Sequence, residues 1–170
     1  PTVELHTLEG LVDWLKTSPD VPEERIHVAV IDERKVVAYL PASGPFQQRS
    51  TIVESEWDAK GFAFNTFRPT EDFIIGLQTC FVQTEDLREI ILLSSRISDV
   101  RELEQSDNGI SQAVQVKAGL ALKAVETFRQ TYELMPYRTF PEANQPVSPF
   151  ILRAKKGRDD GIECALFEAD

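Results

Sequence analysis

Three carboxylates, Glu54, Glu56 and Asp58, stand at alternate positions, the spacing that puts side chains on one face of a strand. One or two carboxylates with bound water are enough to hold magnesium, so the trio is a candidate site for a magnesium-dependent enzyme. The chain carries 28 acidic residues, however, and a solvated acidic face has the same appearance. Glu71 and Asp72 have a local explanation: they follow Thr70 at the start of an apolar pattern of helical period, where negative charge complements the positive end of the helix dipole.

Nucleophilic catalysis needs a hydroxyl or thiol held by an oriented base. The only imidazoles are His6 and His27, and there is no Gly-x-Ser-x-Gly elbow. A zinc site would need both histidines plus distant cysteines or carboxylates, and Cys80 and Cys164 form no close pair, so reduced, buried thiols are expected. The eight glycines are scattered and make neither a Walker loop nor a dinucleotide fingerprint. These residues point to a non-enzymatic protein with no catalytic residues, metal or cofactor.

The one locally basic run is Arg153-Ala-Lys155-Lys156-Gly-Arg158. With Tyr137, Arg138 and Phe140 nearby in sequence, it is a candidate grip for single-stranded nucleic acid, cations on phosphates and an aromatic under a base. Asp159 and Asp160 offset much of that charge, and the net charge of −10 opposes a nucleic-acid partner at long range. The acidity fits solubility and binding to proteins better.

The elements that must carry these residues follow from periodicity. Residues 2–6 alternate as a strand; Thr7 then reads as an N-cap for a helix over 8–16, stopped by Ser18-Pro19-Asp20-Val21-Pro22. Strands over 25–31 and 35–40 form a hairpin, with another strand over 48–54. The aromatic stretch 57–69 has no clean period and is expected to pack irregularly over the core. Thr70 reads as the cap of a second helix that ends near Val82, and a third helix runs from Leu87 to near Ile97.

Beyond residue 98 the period falls toward two. Strands over 100–105 and 110–117 flank Asp107-Asn108-Gly109, residues that tolerate a tight hairpin turn. A loop or bulge is expected over 118–123, a single strand over 125–134, and a last hairpin from 150–154 and 162–167. The expectation is one α+β domain over 1–170: N-terminal helices with a hairpin over about 1–98, then a mainly antiparallel β-sheet over about 99–170.

At 170 residues the chain is long enough for one core. No apolar run approaches the roughly 20 residues needed to cross a bilayer, so no membrane role is expected. No secretory signal is visible, which favours an intracellular protein. The start at Pro1 and the stop after Glu168-Ala169-Asp170 suggest a fragment of a longer chain.

The block Pro136-Tyr-Arg-Thr-Phe-Pro-Glu-Ala-Asn-Gln-Pro-Val-Ser-Pro-Phe-Ile-Leu-Arg153, with Cys164-Ala-Leu-Phe-Glu-Ala-Asp170, resembles the YfdQ-like family of phage and prophage proteins, in particular its actinobacterial and actinophage branch. The resemblance implies an accessory protein in the cytoplasm of an infected or lysogenic bacterium, and no catalytic residues. In physical terms the block is punctuated by Pro136, Pro141, Pro146 and Pro149, which withhold ladder amides, so an irregular segment anchored by Tyr137, Phe140 and Phe150 is expected. The functional expectation is an oligomeric interaction protein that modulates DNA transactions or host functions through protein partners.

Overall fold

The structure, a computed structural model, describes residues 2–19, 25–98, 102–107, 112–118, 121–158 and 161–169. It is α+β as expected, and its elements group into two compact units: Pro1–Lys60 with Tyr137–Gln145, and Gly61–Pro136 with Pro146–Asp170. This grouping does not follow the change of texture near residue 98.

The first unit opens with β1 (Val3–Leu5) and α1 (Leu8–Thr17). Thr7 caps the helix as its sequence requires, its hydroxyl accepting the Gly10 amide at 3.0 Å. A β-carbon on Gly10 would stand 2.8 Å from that hydroxyl, so glycine there leaves room for the cap bond. Then come the expected hairpin, β2 (His27–Asp32) and β3 (Lys35–Tyr39), and β4 (Thr51–Glu56). The sheet order is β1-β4-β3-β2, with β1 parallel to β4 and the other neighbours antiparallel. Leu11 of α1 packs with Val36, Ala38, Val53, Trp57 and Phe140.

The proline-punctuated segment is closed on itself by one side chain. Gln145 is buried; its amide nitrogen donates to the carbonyls of Phe140 (3.0 Å) and Ala143 (2.9 Å), and its oxygen accepts the Arg138 amide at 2.9 Å. Glu142 accepts the Leu8 amide at 3.1 Å, placing a carboxylate at the start of α1.

The second unit contains β5 (Arg68–Pro69), α2 (Thr70–Cys80), α3 (Glu85–Ser98), β6 (Glu102–Asp107), β7 (Gln112–Ala118), β8 (Ala121–Thr127), β9 (Tyr132–Leu134), β10 (Ser148–Lys156) and β11 (Ile162–Glu168). Among the described residues it has two antiparallel sheets, β5-β11-β10-β9 and β6-β7-β8. Phe73 and Leu77 of α2 and Leu87, Ile90 and Ile97 of α3 bury the helical stripe seen in the sequence against Phe150, Leu152, Cys164 and Leu166. Phe62 and Phe64 join them from the irregular stretch. Gly76 sits in mid-helix because a β-carbon there would come within 2.9 Å of the Phe62 ring.

Several expectations give way here. Thr70 is the first residue of α2 and Pro69 its cap; the Thr70 hydroxyl donates instead to the Ile162 carbonyl at 2.7 Å, tying the helix start to β11. The loop expected over 118–123 is largely strand, since β8 begins at Ala121, and the bulge falls between Val116 and Lys117. The single strand expected over 125–134 is two strands in different sheets, because Phe128 leaves the ladder to enter the core while its amide donates to the Gln112 carbonyl at 2.9 Å. Cys164 is a buried free thiol, pushed up to about 11 by burial, whereas Cys80 is only half buried. The turn residues Asn108 and Gly109 and the prolyl stop at 20–22 lie outside the described residues.

Arg129 ties the start of α3 to β9. It bonds Asp86 and Glu89, each at 2.7 Å, and lies 4.5 Å over the Tyr132 ring, while Asp86 also accepts the Glu133 amide at 2.8 Å. Burial pushes the Asp86 carboxyl up, but the bonds from Arg129 and the Glu133 amide outweigh it and hold it below the usual carboxylate range. A depressed carboxyl stabilises fully above the unfolded value of about 3.9 and loses that contribution as pH falls through its lower folded value. Because these pairs are partly exposed, Arg129→Met is expected to cost only about 1 kcal/mol near pH 7. Urea unfolding should show that cost shrinking toward about pH 2.5, and an equal cost at both pH values would refute the ionic account.

Candidate functional site

The acidic trio is not brought together. Glu54 and Glu56 share a face of β4, but Lys35 of β3 reaches both, at 3.0 and 3.2 Å, and these hydrogen bonds raise its pKa. β4 ends at Glu56, Trp57 turns inward with its amide on the Arg34 carbonyl at 2.8 Å, and Asp58 follows on exposed backbone. Among the described residues no three His, Cys, Asp or Glu side chains converge as metal ligands would.

The six residues expected at a nucleic-acid site fall into two groups. Tyr137 and Arg138 belong to the first unit, where Tyr137 packs against the core around Phe140. Arg153, Lys155, Lys156 and Arg158 belong to the second. There the alternation of β10 divides the basic run: Phe150, Leu152 and Ala154 point into the core, so Ile151, Arg153 and Lys155 share the opposite face. Lys156 has the core-side parity at the exposed end of the strand, and Arg158 lies in the turn beyond.

On that outer face lies an open groove of about 560 Å³. Arg153, Lys155 and Ile151 line it from β10, Phe167 lines it from β11, and Phe67 comes from the segment before β5. The two rings meet edge to face with centroids 5.8 Å apart, and both are half buried. The Lys155 ammonium lies 4.2 Å from the Phe67 ring centroid and 3.5 Å from Glu163. At the rim Gln112 of β7 acts as a substitute strand: its amide nitrogen donates to the Ala154 carbonyl at 2.8 Å and its oxygen accepts the Ala154 amide at 3.0 Å.

Phe67 and Phe167 were not singled out in the sequence. The signal was present for Phe167, an aromatic at an outward position in a strand whose inward positions are Ile162, Cys164 and Leu166. Phe67 gave none, because its stretch has no period.

A second exposed feature lies on the first unit. β2 is an outer strand of its sheet, and Val28, Val30 and Ile31 are exposed at 57%, 74% and 57%. Val28 and Val30 stand beside Ala38 and Val36, so they extend the buried face of the sheet into solvent. Among the described residues no further strand pairs with β2.

No family model matches the chain, and no curated protein or solved structure is similar to it. Among the described residues no helix is long and apolar enough to cross a membrane.

Proposed function

We propose that this is a non-enzymatic interaction protein that associates through the β2 edge, forming a weak homo-oligomer and modulating DNA transactions or host functions through protein partners. The observation that supports the reading is the exposure of Val28, Val30 and Ile31 on an outer strand. Unpaired strand edges with apolar side chains pair readily, and strands not meant to pair usually carry lysine, proline or a covering element. A copy of β2 laid antiparallel about Ala29 sets Val28 of each chain opposite Val30 of the other, the self-complementary arrangement a two-fold axis requires. The resemblance of the Pro136 to Arg153 block supports a phage or prophage accessory protein acting inside the bacterial cell.

A six-residue strand pair falls short of the roughly 1,600 Å² buried in a standard interface, so association is weak. Each chain also carries a net charge of −10, and added salt should strengthen association by screening that repulsion. Sedimentation velocity over a concentration series is expected to show a reversible dimer that Val28→Lys with Val30→Lys abolishes. Both side chains are exposed, so each change should cost less than about 0.5 kcal/mol in folding. A wild-type chain that stays monomeric at high concentration and captures no protein partner removes the proposal.

A further inference from the structure

We infer that the groove on the outer face of β10 and β11 binds single-stranded nucleic acid, with bases against Phe67 and Phe167 and the backbone along Arg153 and Lys155. The sequence offered Tyr137, Arg138, Arg153, Lys155, Lys156 and Arg158 for this activity; the groove keeps Arg153 and Lys155 of these and adds the two rings.

Two kinds of group meet there. Two half-buried aromatic rings, Phe167 on β11 and Phe67 just before β5, offer flat apolar surface to a base without regard to its identity. Two cations at alternate positions of one strand, about 7 Å apart by strand rise, track a chain of negative charges. Each alone is common on sheets; together they fit a ligand both flat and anionic. The groove is open, whereas small-molecule sites enclose most of their ligand. It runs along the strand from Ile151 to Lys155, which suits an extended strand that needs contact on one side only.

The overall acidity sets the character of the binding. Few phosphates can be neutralised, so stacking carries the affinity and the salt dependence is shallow, with a logarithmic slope of roughly −1.4 for two phosphates on a single strand. Glu163, 3.5 Å from the Lys155 ammonium, weakens the charge at one end, so Glu163→Gln should raise affinity.

The test is fluorescence anisotropy of a labelled oligothymidylate with the full chain at about 50 mM salt, folding of each variant being checked by circular dichroism. Wild-type protein is expected to bind. Phe167→Leu should weaken binding roughly 5- to 150-fold, the range for loss of one stacked base. Arg153→Gln with Lys155→Gln should weaken it and bring the salt slope close to zero. Lys156→Gln, whose side chain has the opposite parity on β10, should leave affinity unchanged.

The assignment is overturned by absent wild-type binding, by an unaffected Phe167→Leu, or by a Lys156→Gln loss equal to that of the double variant. Displacement by a free nucleoside monophosphate at equal base concentration would make the ligand a single nucleotide. Displacement by polyglutamate at equal charge would make it an acidic peptide; either result also overturns the single-strand assignment.

Discussion

Phe81→Ala is expected to destabilise the second unit by about 3–5 kcal/mol, the usual cost of emptying a phenylalanine site in a core. Phe81 caps the C-terminus of α2 and is 1% exposed. Its ring meets three others, Phe62, Phe64 and Phe150, with centroids 5.0, 6.0 and 6.3 Å away, and aromatic pairs add to the burial term. The neighbours cannot collapse into the space, because the backbone at Phe81 is fixed by a bridge to Pro136 and the Val82 amide donates to the Met135 carbonyl at 2.9 Å. With total stability of order 5–15 kcal/mol, such a loss is a large share of the whole. Guanidinium unfolding should show a clearly lowered midpoint. Ile75→Ala, on an exposed part of the same helix, should change the unfolding free energy by less than about 0.5 kcal/mol. Similar losses at the two positions would mean that the aromatic cluster does not set the stability of this region.

Gln112→Leu is expected to cost about 2–5 kcal/mol, although it conserves size and removes only polar atoms. Gln112 is 5% exposed and both ends of its amide are bonded to Ala154, itself 1% exposed. Leucine removes both of these bonds, and a buried amide or carbonyl deprived of a hydrogen bond costs about 1–3 kcal/mol. The bond pair also joins two sheets, β7 of one to β10 of the other.

Gln112→Glu separates hydrogen bonding from packing. A carboxylate still accepts the Ala154 amide but repels the Ala154 carbonyl, and burial raises its pKa. The raised group therefore destabilises near pH 7, and the loss recovers as pH falls below that pKa and the acid becomes a donor. Unfolding midpoints of this variant that are flat from about pH 7 to 4, relative to wild type, would show that the two bonds to Ala154 are not what matters.

What could be read directly was local. The Thr7 cap, the β2–β3 and β10–β11 hairpins, and the apolar stripes of α2 and α3 depend on residues within a few positions of one another, and periods of 2 and 3.6 record which side of an element is wetted. Where a local rule was overruled, a distant partner did it: Thr70 lies inside α2 and does not cap it, its hydroxyl going to the Ile162 carbonyl, and residues 125–134 break in two because Phe128 is drawn into the core.

The same division separates the candidate sites. That residues 153–158 are basic and that the chain as a whole is strongly acidic are properties of composition, independent of folding. Which cations act together was decided by β10, whose pleat keeps Arg153 with Lys155 and turns Lys156 away. Which aromatics they meet was decided by pairing between segments far apart in the chain, which brings Phe67 beside Phe167. Glu54 and Glu56 look like metal ligands until β3 sets Lys35 between them. Strand partners are chosen by the burial that the whole unit achieves, and no short window of residues contains that information.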